Sequence, residues 1–183
     1  MQLVLALIYT NGRPVIELSD IYNKIGSGYI IGIPIPVIIF IIIVSGGLFL
    51  LKYTKFGRHV YATGGNEMAG KISGVNTKRV IILVYSLTGL LSGLAGIVLS
   101  ARVMSASPAI GQGYELDAIA AVVIGGTKLP GGVGSIAGTI LGALIIGVMN
   151  NGLDLLNISS YWQLFVKGVI ILLAVILDRR SKN

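Results

Sequence analysis

Lys52-Tyr53-Thr54-Lys55-Phe56-Gly57-Arg58, continued by Gly64-Gly65-Asn66-Glu67-Met68-Ala69-Gly70-Lys71-Ile72-Ser73-Gly74 and closed by Lys78-Arg79, lies between two long uncharged apolar runs. Residues 52–79 carry six basic side chains against one acid, Glu67, and so hold most of the chain's formal charge of +7. On one side, no charge occurs between Lys24 and Lys52. The dense part of that run, Ile33 to Leu51, would rise about 28 Å as a helix, enough to cross a hydrocarbon core of ~30 Å. On the other side, Val80 to Ala101 would rise about 33 Å. The stretch between is therefore a polar loop joining two membrane spans, and its excess of Lys and Arg assigns it to the cytoplasmic face.

Composition agrees with that reading. Hydrophobic residues make up 54% of the chain and charged residues 11%, and the mean hydropathy is +0.88. A soluble domain of this length could not bury so much apolar surface. The isoelectric point near 9.8 would suggest nucleic acid in a soluble protein. Here the basic residues sit at the edges of apolar runs, so the membrane accounts for them and no nucleic-acid partner is expected. There is no cysteine and a single histidine, His59, which leaves neither a thiolate nor an imidazole cluster for a metal. Met1 to Tyr9 is apolar but short, without a basic start or a small-residue cleavage pattern, so it reads as the tail of a helix rather than a signal peptide.

Further along, Ala118 to Thr127 would rise only about 15 Å, half a bilayer, and reads as a half-helix. Gly125-Gly126-Thr127-Lys128-Leu129-Pro130-Gly131-Gly132 then breaks regular structure before Gly134 to Leu153 resumes as an apolar helix. Trp162 to Leu177 is a last span of about 24 Å, with Tyr161 and Trp162 as interfacial anchors. The loops 10–33, 102–117 and 150–161 are neutral or slightly acidic, whereas the Arg179-Arg180-Ser181-Lys182 tail is basic, which puts the C-terminus in the cytoplasm. A re-entrant half-helix with a returning helix, or two short spans, would equally satisfy the parity between residues 116 and 154. The expected fold is all-α: one polytopic membrane bundle over residues 1–183 with spans near 33–51, 80–101, 134–153 and 162–177, a half-helix at 118–127 and a cytoplasmic helix inside 52–79. Ser86, Gly89, Ser92, Gly93 and Gly96, at three- and four-residue spacings, would let another helix approach the second span closely.

Gly65-x-x-x-x-Gly70-Lys71 matches the start of a phosphate-binding loop, and the match fails chemically. Ile72 stands where a hydroxyl would hold Mg²⁺, and no strand precedes Gly65. A better account makes Asn66 the N-cap of a two-turn helix, with Glu67 near its positive end and Gly74 as the left-handed terminator. Asn76 or Thr77 can cap the following span. The expected product is a rigid unit with a face of small side chains, Ala69, Gly70 and Ser73, suited to a groove on a partner; the bland reading is a solvated loop made basic by its side of the membrane. His59 reads as a solvated or interface residue of the same loop.

Gly64-Gly65-Asn66-Glu67 through Ser73-Gly74-Val75-Asn76, followed by Gly113-Tyr114-Glu115-Leu116-Asp117-Ala118-Ile119-Ala120-Ala121-Val122-Val123-Ile124-Gly125-Gly126-Thr127, resembles the permease subunits of sugar ABC importers. Asn150-Asn151-Gly152-Leu153 and Ser159-Ser160-Tyr161 extend the resemblance over nearly the whole chain. It implies a multi-pass subunit of the cytoplasmic membrane that moves a monosaccharide, ribose first, by alternating access. Branched-chain amino acids or another sugar are the alternative solutes, and an inactive truncated permease is the alternative state. It also implies three protein partners: a second permease copy, an extracytoplasmic sugar-binding protein, and a separate ATPase subunit that binds the ATP, so that this chain needs no cofactor and is not itself an enzyme. Coupling to the ATPase would run through Gly64, Gly65, Asn66, Glu67, Ala69, Gly70, Ile72, Ser73 and Gly74. Members of the family are about twice this length, so the chain corresponds to a C-terminal half.

Tyr114, Glu115, Asp117, Gly125, Gly126, Asn150 and Asn151 are the candidate solute path or gate, because ionisable groups at a membrane segment are costly unless they face water, a partner or a polar path. Glu115 and Asp117 point in different directions on a helix, which argues against a paired-carboxylate catalytic site. Capping the half-helix or pairing with Arg102 is the expected role of these acids, ahead of direct sugar contact. The break at Gly125–Gly134 has the character of irregular backbone beside a cavity or buried in protein. Asn150 and Asn151 are read first as helix terminators and second as sugar ligands. Lys167 is expected to snorkel or to pair within the bundle rather than to bind a ligand.

Overall fold

The computed structural model describes residues 19–107 and 110–180. The proposed helix tail at Met1–Tyr9 and the end of the basic C-terminal tail lie outside the described residues. Apart from a two-stranded hairpin, the described elements are helices. They are α1 (Asp20–Ser27), β1 (Tyr29–Ile30), β2 (Ile33–Pro34), α2 (Ile35–Tyr53), α3 (Lys55–Gly65), α4 (Glu67–Ile72), α5 (Thr77–Val103), α6 (Tyr114–Ile124), α7 (Ile136–Leu155) and α8 (Ser160–Arg180). Among the described residues α2, α5 and α7 are long and apolar enough to cross a membrane, and Ser160–Leu172 of α8 is a shorter apolar stretch. The protein is an all-α membrane protein.

The helix bounds follow local chemistry. Pro34 and Pro36 flank the start of α2, where backbone N–H groups have no helical acceptor and their loss costs little. Thr54 separates α2 from α3: its hydroxyl donates to the Leu50 carbonyl at 2.6 Å and accepts the Gly57 N–H at 3.3 Å. Ser135 opens α7 in the same way, accepting the Gly138 N–H at 3.0 Å. Segment 10–33, read from sequence as a loop, contains α1 and the hairpin, whose Ile31 and Gly32 both take positive φ (52° and 78°), as a two-residue hairpin turn requires.

The described residues form two compact units, one of those up to Gly47 together with those in Ile82–Gln112, the other of Leu48–Ile81 together with those from Gly113. In the first, α1 crosses the end of α5: Gly26 lies against the backbone of Ala101 and Arg102, and the Tyr22 and Ser100 hydroxyls are 2.6 Å apart. The second unit is built on α6, which packs against both α7 and α8. Ala120, Ala121 and Ile146 are its buried centre, with Ile124, Met149 and Ile171 around them. Small residues allow this packing, because Gly125 faces Gly138 and Gly142 lies against the Ala121 carbonyl. The pairs run in opposite senses along the two helices, so α6, the break and α7 form an antiparallel hairpin.

Two sequence expectations change here. Residues 52–79 hold two helices, α3 and α4, rather than one. Asn150 and Asn151 do not end their helix, which runs on to Leu155 and turns at Asn157 with φ 53°. Around Gly89, Gly93 and Gly96 of α5 nothing among the described residues lies within 4 Å of the position a Cβ would occupy, so these positions remain open to close approach.

Candidate functional site

Within the second unit, the basic segment is a folded object. Asn66 is extended (φ −159°) and its side-chain oxygen accepts the Ala69 N–H at 3.0 Å, capping α4. At the other end Gly74 takes φ +82°. Its N–H donates to the Lys71 carbonyl at 3.0 Å and that of Val75 to the Gly70 carbonyl at 3.0 Å, the pair of bonds that terminates a helix at a left-handed glycine. Asn76 then caps α5 by accepting the Arg79 N–H at 3.1 Å.

Thr77 ties α4 to the start of α5. It is only 2% exposed, its hydroxyl donates to Glu67 at 3.3 Å, and its methyl lies 3.6 Å from where a Gly70 Cβ would be. Gly70 is therefore buried inside the loop, not part of an outward face as the sequence suggested. The outward face is larger and more apolar: Met68 is 66% and Ile72 82% exposed, with Ala69 and Ser73 beside them also exposed. Glu67 forms an i,i+4 ion pair with Lys71 at 2.7 Å. The hydrogen bond and charge of Lys71, helped by the Thr77 hydroxyl, hold the Glu67 carboxyl below its ordinary range. His59 is exposed on α3.

Gly64 and Gly65 have a different setting, against the tip of the hairpin. A Cβ on Gly64 would lie 2.7 Å from the Gly132 nitrogen, and one on Gly132 would lie 2.5 Å from the Gly65 Cα. Gly131 takes φ +95° and presses on the Gly64 carbonyl, 2.8 Å from its own Cβ position. Alongside, the Tyr61 hydroxyl donates to the Gly134 carbonyl at 3.0 Å. An apolar cavity of about 330 Å³ lies between α3 and the break, lined in part by Leu51, Val60, Tyr61, Val133 and Ile136.

At the opposite end of the hairpin three polar side chains meet among apolar ones. Lys167, 7% exposed, pairs with Asp117 at 2.6 Å. The second Asp117 oxygen accepts from the Asn150 amide nitrogen at 3.1 Å. The cation beside Asp117 is thus Lys167, where the sequence offered Arg102, and Lys167 pairs inside the bundle as expected. The Asn150 side-chain oxygen is shut from water and has no hydrogen-bond partner among the described residues. A cavity of about 260 Å³ opens beside it, lined by Asp117, Ala118, Ala121, Ala143, Ile146, Gly147 and Asn150.

The remaining site candidates separate from this cluster. Glu115 accepts the Gly113 N–H at 3.0 Å and so braces the start of α6, the capping role read from sequence. Tyr114 and Asn151 are exposed. Gly125 and Gly126 close α6, donating to the Ala121 and Val123 carbonyls at 2.9 Å each. The structure adds Tyr61, Thr77, Gly131 and Gly132, which the sequence reading did not single out as site residues. For the two glycines the signal was present, since a doublet in a break invites backbone contact; for Thr77, no local pattern distinguishes a buried Thr from an ordinary cap.

A helical membrane protein with a broken hairpin and a folded basic segment is the class these features define. The chain belongs to the family described as branched-chain amino acid transport system / permease component, which matches residues 5–175. It is 52% identical over 180 residues to the ribose import permease of Escherichia coli strain K12, covering 96% of this chain and 56% of that protein. To the ribose import permease of Bacillus subtilis strain 168 it is 53% identical over 179 residues, covering 97% and 56%. To the xylose transport system permease of Haemophilus influenzae it is 49% identical over 152 residues, covering 83% and 40%. The chain spans about half the length of the ribose permeases it matches. No solved structure matches it.

Proposed function

We propose that this chain forms part of the membrane subunit of an ABC importer and that its solute is a monosaccharide, ribose in the first place. The observation that carries the reading is the 52% identity to a ribose import permease over 96% of the chain. Solute passes by alternating access, delivered by an extracytoplasmic binding protein and driven by ATP that a separate ATPase subunit binds. The basic segment and the C-terminus face the cytoplasm, and a second permease copy completes the translocation unit.

In this reading α4 is the element on which the ATPase pushes. Support comes from its two caps, its tie to α5 through Thr77, and the outward row of Met68, Ala69 and Ile72. Closure of the ATPase moves α4, and the start of α5, tied to it through Thr77, follows. The test is uptake of radiolabelled ribose by proteoliposomes holding the complete transporter, together with its ATPase activity. Ala69→Arg, which puts a long cation on the exposed face, should abolish stimulation of the ATPase by loaded binding protein; undiminished stimulation and uptake would refute the docking role of α4.

A further inference from the structure

We propose that the apolar cavity between α3 and the break after α6 binds an anionic phospholipid, which lays part of an acyl chain in the cavity and its phosphate among Lys52, Arg58 and Lys128. Such a site lies beyond the transport reading and stands whatever the solute. The cavity sits at a membrane boundary. Leu51, in the last turn of the span α2, and Ile136, in the first turn of the span α7, both line it, with Val60 and Tyr61 of α3, Val122 of α6 and Val133 of the break. A hollow where two spans end borders the hydrocarbon core, and its volume of about 330 Å³ falls in the range that holds small ligands.

The lining decides what the cavity takes. Three of its hydroxyls are engaged with backbone: Tyr61 donates to the Gly134 carbonyl at 3.0 Å, Ser135 accepts the Gly138 N–H at 3.0 Å, and Thr139 donates to the Ser135 carbonyl at 3.0 Å. What remains for an occupant is hydrocarbon, which suits a lipid chain and not a polar solute. Cations border the same residues. Lys52 follows Leu51, Arg58 lies one helical turn before Tyr61, and Lys128 follows Thr127, another lining residue. Lys52 and Arg58 are exposed and Lys128 is half-buried, and among the described residues none of the three pairs with a carboxylate. No acid occurs in residues 21–66 or 118–153, so the counter-charge has to come from outside these segments. Basic pockets between membrane helices on the cytoplasmic side bind anionic headgroups. A phospholipid brings that charge and the chain on one molecule.

Native mass spectrometry tests the site on the protein purified in neutral detergent and offered phosphatidylglycerol and phosphatidylcholine in equal amounts. One phosphatidylglycerol should be retained in preference to phosphatidylcholine by about tenfold or more, and the triple variant Lys52→Gln, Arg58→Gln, Lys128→Gln should bring that preference close to parity. Val133→Trp, at an exposed wall position that accepts a large side chain, fills the cavity and should release the lipid with the cations intact. Lys78→Gln with Arg79→Gln removes two exposed cations of the same basic segment that border no lining residue, and should leave the preference unchanged. Equal retention of both lipids by the wild-type protein, an equal loss in the Lys78 and Arg79 variant, an undiminished preference in the triple variant, or full retention in Val133→Trp would each overturn the site. So would displacement of the lipid by glycerol 3-phosphate, because that would show a charge site with no need of the chain.

Discussion

Gly125, Gly138 and Gly142 of the α6–α7 hairpin each face neighbouring backbone, whereas Gly89, Gly93 and Gly96 of α5 face open space. Both sets have the spacing that permits close helix approach. The difference lies in connectivity. A short break joins α6 to α7 and returns one helix along the other, so their small residues are brought together by the chain itself. The α5 stripe has no such enforced neighbour. Spacing of small residues therefore tells how near a partner can come, not whether one is there.

The contrast can be strained at several points. Lys167→Met leaves Asp117 as an uncompensated charge inside the hairpin unit and should cost about 3–5 kcal/mol, read as a fall in the thermal unfolding midpoint in detergent; adding Asp117→Asn should recover most of the loss. Gly142→Leu drives a side chain into the Ala121 carbonyl and should cost about 1–3 kcal/mol or more in the same assay. Asn66→Ala removes the cap of α4 and should cost about 1 kcal/mol locally, seen as faster amide exchange at Ala69 and Gly70. Gly93→Leu on α5 should change the midpoint by no more than about 0.5 kcal/mol equivalent. A large loss there would show that α5's stripe is packed after all.

The smallest effect is electrostatic. Lys71 and Thr77 hold the Glu67 carboxyl below its ordinary range, so its contribution to the loop is complete above that range and is lost as pH falls through the depressed folded value. Protease protection of residues 66–77 should weaken on acidification, and Glu67→Gln should flatten that limb of the pH profile. High salt should do the same, because the pair is exposed.

Much of the fold was legible. Uncharged runs of bilayer length located α2, α5 and α7 to within a few residues, since the requirement to span fixes length and excludes charge. The caps of α4 were legible too, because Asn66 and Gly74 act on their immediate neighbours. What escaped was whatever depends on contacts far along the chain. Gly70 reads as outward in the sequence because only Thr77, folded back on it, shows it to be inward. Asn150 reads as a terminator because its partner, Asp117, is 33 residues away. The partner of Asp117 was misjudged for the same reason: Arg102 is nearer in sequence than Lys167.

The contact of Gly64 and Gly65 with Gly131 and Gly132 has a mechanical consequence. Between most elements of a protein, side chains act as cushions: they change rotamer and absorb part of any displacement. Here main chain rests on main chain, with nothing in between that can give way. A displacement of α3 at Gly64 and Gly65 would therefore meet the backbone of Gly131 and Gly132 directly, where no side chain can change rotamer to absorb it.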